Sequence, residues 1–260
     1  MIKIHSWNVN GIRAGLKKGF LEWMYKASPD VLCLQETKAL PTQLPPELLH
    51  PKGYEAYFNS AERLGYSGVA TFIKVGARHA SPVQVNKGFG IQKFDSEGRV
   101  LETKFKDFSL FNIYFPNGKM NEERLKFKMD FYEQALKHFL KLREKGKRLV
   151  VCGDYNTAHQ PIDLARPKEN EKVSGFLPME RAWMDKLVAS GFLDTFRIFN
   201  QDPGHYTWWD QMTRARERNV GWRIDYHFIS EDLKPYLKEA FIQPEVMGSD
   251  HCPVGITLKF

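Results

Sequence analysis

Nine polar side chains lie at or near the ends of apolar segments, and their types can hold a metal ion or move a proton. They are Asn8, Asn10, Glu36, Tyr114, Asp154, Asn156, Asp225, Asp250 and His251. Singly, each has an ordinary explanation as a cap for loop backbone groups. Glu36 follows the apolar run VLCLQ, where an acid is costly to bury unless it is paired or bound to a cation. Asp225, between Ile224 and Tyr226, would be equally costly to bury. A salt bridge to Arg223 or to a lysine is the ordinary explanation for its presence there.

Two apolar segments end in the same pattern. KIHSW is followed by Asn8 and Asn10, and LVVCG is followed by Asp154 and Asn156. Because alternate side chains of an extended segment share a face, the two members of each pair should point the same way. We therefore expect two buried strands to deliver a polar pair each at their exits, where functional sites commonly lie.

Carboxylates and amides that converge in this way suit a hard divalent cation. Mg²⁺ prefers oxygen ligands and is typically held by one or two carboxylates together with substrate phosphate. The sequence has no Cys/His cluster with zinc spacing, no serine nucleophile elbow and no GxxxxGK phosphate loop. Acids, amides and one histidine, His251, therefore point to metal-assisted phosphodiester hydrolysis.

The overall charge favours a polyanionic partner such as nucleic acid. The formal net charge is +7 and the sequence pI is about 9.2, and clustered lysines and arginines release counterions when they bind phosphates. Three cysteines, an odd number set in or beside apolar runs, argue against a disulfide framework. No signal peptide or run of about eighteen apolar residues occurs, so we expect an intracellular, cytoplasmic protein with no membrane partner.

The elements that would position these residues can be predicted from apolar patterning. Eight short runs predict strands: KIHSW, VLCLQ, GVATFIK, VLETKF, SLFNIYF, LVVCG, IDYHFIS and VGITLKF. Apolar spacings of three and four residues predict helices over Asn121–Lys145 and Pro178–Ser190, and a third helix covers FLEWMYKA and ends before Pro29. No linker interrupts the chain, so residues 1–260 are predicted to form one domain of two facing sheets with helices outside.

The stretches WNVNG, LQET, YFPN, GDYN, VGWRIDY and GSDHCPV, in this order, resemble the exonuclease/endonuclease/phosphatase superfamily. NGIRA, GYSGV, IDLARPKEN, GFLPMERAW and RARERNVGWRIDY are more specific and resemble the exonuclease III type of abasic-site DNA endonuclease. The resemblance covers the whole chain. It implies an α/β fold, a four-layer sandwich of two mixed β-sheets face to face, with the active site at one edge.

The resemblance also implies a metal site. Glu36 would be the principal Mg²⁺ ligand, with Asn10 and Asp250 nearby, and Mn²⁺ would be able to substitute. Some relatives carry an acid where this chain has Asn10. Because an amide oxygen carries no full charge, we expect one well-occupied metal rather than two.

Catalytic roles are implied for six further residues: Asn8, Tyr114, Asp154, Asn156, Asp225 and His251. Asp154 would orient and deprotonate the attacking water, for which its pKa must be raised or the water metal-assisted. His251, held by Asp225, would contact a non-bridging phosphate oxygen. Asn8 and Asn156 would bind the phosphate or fix Asp154, and Tyr114 would meet a phosphate oxygen as phenol or phenolate.

The DNA contacts implied by the resemblance surround a pocket for a base-free deoxyribose. Trp208, Trp222 and Ile224 would line it, Met212 would insert into the duplex, and Trp209 should instead face the core because side chains alternate. Further contacts to DNA phosphates are expected from Arg13, Lys38, Tyr66, Asn117, Lys119, Asn170 and Arg216. Lys38 has an alternative role as the partner of an active-site acid.

The expected function is Mg²⁺-dependent incision of double-stranded DNA 5′ to an abasic site, leaving a 3′-hydroxyl and a 5′-deoxyribose phosphate. The enzyme is expected to act as a monomer in a prokaryotic cell. A 3′→5′ exonuclease or 3′-phosphatase activity would use the same site. Two alternatives stay open: a less specific nuclease or phosphoesterase of the same superfamily, and a DNA-binding module whose acids only cap strands.

Overall fold

The computed structural model describes residues 1–77 and 82–260, in which two mixed β-sheets form the centre of the fold. The first sheet has the strand order β11-β12-β1-β2-β4-β3. Its strands are β1 (Ile2–Asn8), β2 (Val31–Gln35), β3 (Tyr54–Asn59), β4 (Val69–Lys74), β11 (Leu237–Ile242) and β12 (Val254–Leu258). Only β1 and β2 are parallel to each other in this sheet, with Asn8 beside Gln35 at their exits.

The second sheet repeats this arrangement, with the strand order β5-β6-β7-β8-β10-β9. Its strands are β5 (Gln84–Lys87), β6 (Val100–Lys104), β7 (Ser109–Tyr114), β8 (Leu149–Asp154), β9 (Phe192–Asp194) and β10 (Asp225–Ser230). Here β7 and β8 are the parallel pair, and Tyr114 lies beside Asp154 at their exits. The strands β1 and β8 therefore hold equivalent places in the two sheets.

Helices cover the outer faces of both sheets. They are α1 (Ile12–Leu16), α2 (Phe20–Ala27), α3 (Pro46–Leu49), α4 (Gln92–Asp95), α5 (Glu122–Glu144), α6 (Pro167–Asn170), α7 (Pro178–Ala189) and α8 (Thr195–Phe199), with short 3₁₀ segments at Pro41–Gln43, Pro161–Asp163, Ala215–Arg218 and Glu231–Tyr236. The longest, α5, begins after Asn121, whose side chain accepts from the Arg124 N–H and so satisfies a free donor of the first turn.

Three apolar layers hold the four-layer stack together, and strand alternation explains their composition. In β8, Leu149 and Val151 pack towards α5 and α7, whereas Val150 and Cys152 pack between the sheets. A strand buried on both faces needs apolar residues at every position, which is why such strands appear as continuous apolar runs. The third layer joins α2 to the outer face of the first sheet.

All eight predicted strands are present, as β1, β2, β4, β6, β7, β8, β10 and β12, and the predicted two-sheet α/β sandwich is confirmed. Helix α2 ends at Ala27, with Ser28 in a left-handed conformation before Pro29. All three cysteines are buried free thiols, as predicted. Within the described ranges, none of the helices combines the length and apolar character needed to cross a membrane.

Candidate active site

The site begins where β1 and β8 end, because the alternation of both strands turns their last side chains into the space between the sheets. Asn8 shares the face of Ile2 and Ile4, and Asp154 shares the face of Val150 and Cys152. The two meet across the gap: Asn8 Nδ2 donates to Asp154 Oδ2 at 2.9 Å and also to Glu36 Oε1 at 2.8 Å. One buried amide thus joins both sheets at the edge where the candidate site lies.

Several residues just beyond the strand ends adopt left-handed backbone conformations. Asn10, Glu36, Lys38 and Asn156 have φ values of 46°, 51°, 51° and 52°. For residues with a β-carbon this region costs roughly 1–2 kcal/mol, so the surrounding structure must impose it. The turns bring all four residues to the lining of one cleft.

Glu36 is held by a lysine and an amide. Its Oε2 lies 2.7 Å from Lys38 Nζ, and its Oε1 accepts the hydrogen bond from Asn8. Burial alone would raise the pKa of Glu36, but Lys38 and the Asn8 amide outweigh burial and hold the pKa below its usual value. Glu36 is therefore a carboxylate at neutral pH.

Asp250 lies on the opposite side of the same cleft. Asn10 Nδ2 donates to its Oδ1 at 2.9 Å, and Trp208 Nε1 donates to its Oδ2 at 3.0 Å. Burial would raise the pKa of Asp250, but His251 and these two donors lower it overall. The turn before it is fixed by Ser249 Oγ, which donates to the Asn8 carbonyl at 2.8 Å.

His251 and Asp225 form a buried carboxylate–imidazole pair, with Nδ1 2.8 Å from Asp225 Oδ2. Burial lowers the pKa of His251, but Asp225, Asp154 and Asp250 together raise it to about 10. Arg223, the alternative partner considered for Asp225, forms its ion pairs with Asp163 and Asp194 instead, at 2.8 and 2.6 Å.

Asp154 is the group best placed to accept a proton. Burial, Asp225 and Glu36 raise the pKa of Asp154 to about 7, against the opposing effect of His251. Its Oδ1 accepts from the Asn156 N–H at 2.7 Å, and His251 Nε2 lies 3.9 Å from its Oδ2. A carboxylate with a pKa near neutrality matches the requirement for a general base.

The donors of this cluster fit a hard divalent cation. Ligand atoms of Glu36, Asp154 and His251 all lie within 4.8 Å of one another. His251 is a poor ligand, since Asp225 keeps its ring protonated. The ammonium of Lys38 contacts Glu36 Oε2 at 2.7 Å and Asn10 Oδ1 at 2.5 Å. A positively charged group thus already lies between two of the oxygens expected to bind the metal. Carboxylate and amide oxygens of this kind are the ligands that Mg²⁺ and Mn²⁺ prefer.

Glu36, Asp250 and His251 line a cleft of about 270 Å³, and Asp154 lies buried beside it, 3.9 Å from His251. Trp208, Trp222 and Ile224 form its apolar wall, and the two indole rings stand nearly perpendicular with their centroids 6.4 Å apart. Asn117 and Lys119 also line the cleft, and Asn117 Nδ2 donates to Asn156 Oδ1 at 2.9 Å. Trp209, in contrast, is buried with Tyr206, Ala215 and Cys252, in agreement with the prediction from alternation.

Tyr114 also lines this cleft. Burial, Glu36 and Asp154 raise the pKa of Tyr114 well above its usual value, so its side chain is a phenol at neutral pH. Arg99, which has no sequence motif to mark it, stacks over the Tyr114 ring at 4.6 Å and donates to the Tyr114 carbonyl at 3.0 Å. Its fixed guanidinium also donates to Tyr66 Oη at 2.8 Å.

A second unpredicted feature braces the cleft from behind. Lys128 Nζ, which is fully buried, donates to the Asn156 carbonyl and to Thr157 Oγ1 at 2.8 Å and contacts Glu180 Oε1 at 2.6 Å. Glu180 in turn accepts from the Gly175 N–H at 2.6 Å. A lysine–glutamate pair 52 residues apart leaves no local pattern that a sequence alone could reveal.

Five of the residues expected to bind DNA lie outside the cleft. Arg13 is exposed on α1, Tyr66 joins the Arg99 network, and Met212 is 95% exposed on a turn. Asn170 Nδ2 donates within α6 to the Arg166 carbonyl. Arg216 donates to the backbone carbonyls of residues 244, 246 and 249, so its guanidinium braces the loop that leads to Asp250.

Comparison with known proteins identifies the family. The model of the endonuclease/exonuclease/phosphatase family matches residues 5–251. An exodeoxyribonuclease of Bacillus subtilis is 41% identical over 260 residues, covering 99% of this chain and 100% of that protein. The DNA repair nuclease APEX1 of Danio rerio is 42% identical over 262 residues, covering 99% of this chain and 82% of that protein.

A solved structure agrees with the sequence comparisons. The AP endonuclease from Archaeoglobus fulgidus superposes with a TM-score of 0.88 at 28% identity, and the match covers 100% of both chains. The fold described above therefore superposes on that structure over the full length of both chains. The resemblance inferred from the sequence motifs is confirmed, and the chain belongs to the endonuclease/exonuclease/phosphatase family.

Proposed function

We propose that this chain is a Mg²⁺-dependent DNA-repair phosphodiesterase that incises duplex DNA 5′ to an abasic site. The observation that carries the proposal is a cleft lined by an imidazolium, His251, and by an apolar wall of two tryptophans, with the buried carboxyl of Asp154 3.9 Å from His251 Nε2. Relatives named exodeoxyribonuclease and DNA repair nuclease match over nearly the whole chain. Incision in this manner leaves a 3′-hydroxyl and a 5′-deoxyribose phosphate.

In the proposed reaction, Asp154 accepts a proton from the attacking water while Asn8 and the Asn156 N–H hold its carboxylate in place. His251 donates from Nε2 to a non-bridging phosphate oxygen and stabilises the extra negative charge of the transition state. Glu36, Asn10 and Asp250 would hold Mg²⁺, which when bound would supply positive charge that offsets the negative charge of the phosphate and of the departing oxygen. Tyr114, as a phenol, donates a hydrogen bond to the phosphate.

The dimensions of the cleft support selection for a nucleotide without a base. Its volume of about 270 Å³ lies below the roughly 300–1,000 Å³ of pockets that hold drug-sized ligands. An abasic sugar has no base to unstack, so moving it out of the helix costs less than flipping a normal nucleotide. Trp208, Trp222 and Ile224 offer it an apolar wall. The same cleft would accept a 3′ end, which supports an accompanying 3′→5′ exonuclease or 3′-phosphatase activity.

The discriminating experiment uses two duplexes that differ at one position, with a tetrahydrofuran abasic analogue or a normal nucleotide. Each is incubated with Mg²⁺, with Mn²⁺ or with EDTA, beside an Asp154→Asn variant. We expect strong preference for the abasic duplex, cutting only with metal, and loss of activity in the variant. Equal cutting of both duplexes would instead support a less specific nuclease of the same family, and cutting in EDTA would exclude the metal-dependent mechanism.

A further inference from the structure

A lysine of unusual placement lies in the cleft beside the two tryptophans. Lys119 Nζ lies 5.1 Å from the ring centroid of Trp208 and 5.4 Å from that of Trp222. Its loop is held by a hydrogen bond from the Lys119 N–H to Asn117 Oδ1 at 2.8 Å. Through Asn117, this loop is fixed to Asn156 at the floor of the cleft. The amine is therefore carried over the wall against which an abasic sugar would pack.

Two amines line the cleft, and they differ in their partners. Lys38 Nζ is engaged by Glu36 and Asn10 at 2.7 and 2.5 Å, so two of its three donors are already used. Within the described part of the chain, Lys119 has no carboxylate within ion-pair distance. Taken over the whole residue, Lys119 is exposed to solvent. Desolvation of its ammonium in the cleft nevertheless lowers the pKa of Lys119. The negative charges of Asp210, Glu180 and Asp154 oppose this shift but do not cancel it. A larger fraction of this amine is therefore neutral and nucleophilic than of a free surface lysine.

The proposed substrate carries an electrophile suited to such an amine. A natural abasic deoxyribose is a hemiacetal in equilibrium with an open-chain aldehyde at C1′. We propose that Lys119 captures this aldehyde as an imine, which gives the protein a second, covalent and metal-independent activity on abasic DNA. This inference rests on the proposed function, because it requires the abasic sugar to enter the cleft.

The chemistry balances without an added oxidant or reductant. The Nζ lone pair attacks C1′, a carbinolamine forms, and loss of one water leaves the protonated imine. The imine makes the C2′ proton acidic. When water accepts that proton, the C2′–H electrons form a C2′=C3′ double bond, and the C3′–O bond breaks with departure of the 3′ phosphate. Hydrolysis of the imine then returns the free amine. The strand is thus cut on the 3′ side of the lesion, whereas the metal-dependent reaction cuts on the 5′ side.

The test is reductive trapping with sodium cyanoborohydride in EDTA, which converts the imine to a stable amine while the hydrolytic reaction is blocked. The probes are a duplex with a natural abasic site, made by excising uracil, and the same duplex with a tetrahydrofuran analogue, which has no aldehyde. The variants are Lys119→Arg, which keeps the charge but lacks the nucleophilic amine, and Lys126→Arg, which changes an exposed lysine of α5. The covalent complex is measured on a denaturing gel, and the modified peptide is identified by mass spectrometry.

We expect the wild-type and Lys126→Arg proteins to be trapped on the natural abasic duplex, with the adduct on Lys119, and Lys119→Arg to lose most of the trapped complex. The tetrahydrofuran duplex should give no adduct with any protein. Trapping of Lys119→Arg at the wild-type level, or an adduct on another residue, would overturn the proposal. No trapping by a wild-type protein that still cuts the tetrahydrofuran duplex in Mg²⁺ would overturn it too, while leaving the proposed function intact.

Discussion

At the scale of single residues, Asp154 and His251 lie 3.9 Å apart, and their surroundings suit them to opposite tasks. Burial and neighbouring acids raise the pKa of Asp154 to about 7, which lets a carboxylate accept a proton near neutral pH. Asp225, Asp154 and Asp250 outweigh burial and raise the pKa of His251 to about 10, which keeps the imidazole protonated. A carboxyl that can take up a proton near neutral pH and an imidazolium that can donate one therefore lie side by side at the edge of the cleft.

Asp154→Asn tests the role of the carboxylate. The amide oxygen can still accept from the Asn156 N–H, so the fold should be retained, but the side chain can no longer take a proton from water. We expect kcat to fall by about 10²–10⁴-fold, the usual contribution of a general base. Single-turnover incision measures the effect, and the melting temperature serves as the control. A variant with wild-type kcat would show that another group is the base.

Trp222→Ala tests the apolar wall. Removal of the indole should widen the cleft and allow a normal nucleotide to enter. We expect the ratio of kcat/KM for abasic over intact duplex to fall by about tenfold or more, since one pocket contact is typically worth ~1–3 kcal/mol. A Lys126→Arg protein, changed outside the cleft, should retain the wild-type ratio. An unchanged ratio in Trp222→Ala would place the selection elsewhere.

At the scale of elements, α5 and α7 are joined by two ion pairs of the same chemical type in opposite environments. Lys128–Glu180 is fully buried at 2.6 Å, whereas Lys186–Glu133 has the same separation with both side chains about half exposed. Burial removes the charges of the first pair from water, so each strictly requires its partner. The second pair is screened by solvent.

We therefore expect Lys128→Met to lower the free energy of unfolding by about 3–5 kcal/mol, because it leaves the charge of Glu180 buried without an opposite charge. Lys186→Met should change it by only ~0–1 kcal/mol. Urea denaturation of both variants gives the comparison. An equal decrease in the free energy of unfolding in both variants would contradict this expectation. It would show that burial does not determine how much each ion pair contributes to stability.

The buried ion pairs of Asp163 with Arg223 and Arg197 make the free energy of unfolding depend on pH. Burial would raise the pKa of Asp163, but Arg223 and Arg197 outweigh burial and lower it. A carboxyl with a lowered folded-state pKa contributes stability above its unfolded pKa, and this contribution is lost as the pH falls through the folded pKa. The loss should begin near the ordinary value of 3.8 and continue below it.

Asp163→Asn should therefore be less stable at neutral pH and show a weaker loss of stability below about pH 4. Denaturant melts at a series of pH values measure this dependence. Asp130→Asn, at a half-exposed carboxylate paired with Lys93, is the control and should follow the wild-type curve. An identical pH dependence in the Asp163 variant would assign the acid sensitivity to other groups.

The elements also show which parts of the fold the sequence could predict. The eight predicted strands include every inner strand of both sheets, whereas the four that were missed, β3, β5, β9 and β11, are the outermost strands. Inner strands are buried on two faces and need uninterrupted apolar runs. Edge strands such as QVNK are partly exposed, so their sequences resemble those of loops.

Some residues of the site could also be predicted from the sequence, and others could not. Those that follow strands in short motifs, such as Glu36 and Asp154, could be predicted because their position itself is informative. Arg99 and the Lys128–Glu180 pair could not, because their contacts join segments far apart in the chain. The hydrogen bonds of Arg216 to the backbone of residues 244–249 could not be predicted either, because they depend on how the fold brings the two segments together.

At the scale of the whole molecule, two similar halves meet at one edge. The sheets share a strand arrangement, and β1 and β8 end in Asn8–Asn10 and Asp154–Asn156, with Asn10 and Asn156 both left-handed. The paired pattern seen in the sequence therefore corresponds to equivalent places in the two sheets. Each half contributes one polar pair, and the site exists only where the halves face each other.

The net charge of +7 predicts how duplex binding responds to salt. Contacts between basic side chains and phosphates release counterions, so the logarithm of affinity should fall linearly with the logarithm of salt concentration. We expect this for intact and abasic duplexes alike, with similar slopes, because phosphate contacts carry no sequence information. Fluorescence anisotropy in EDTA measures both slopes. Binding that does not depend on salt would contradict a phosphate-based interface.

The central claim is that water, activated at Asp154, attacks the phosphate 5′ to an abasic sugar and displaces the 3′-oxygen. The most direct measurement is single-turnover incision of a tetrahydrofuran duplex in ¹⁸O-labelled water with Mg²⁺, followed by mass spectrometry of both fragments. Attack of water on the phosphate should leave an unlabelled 3′-hydroxyl on the upstream fragment and one ¹⁸O in the 5′-phosphate that carries the sugar analogue. Label in the 3′-hydroxyl, or a cut on the 3′ side of the analogue, would contradict it.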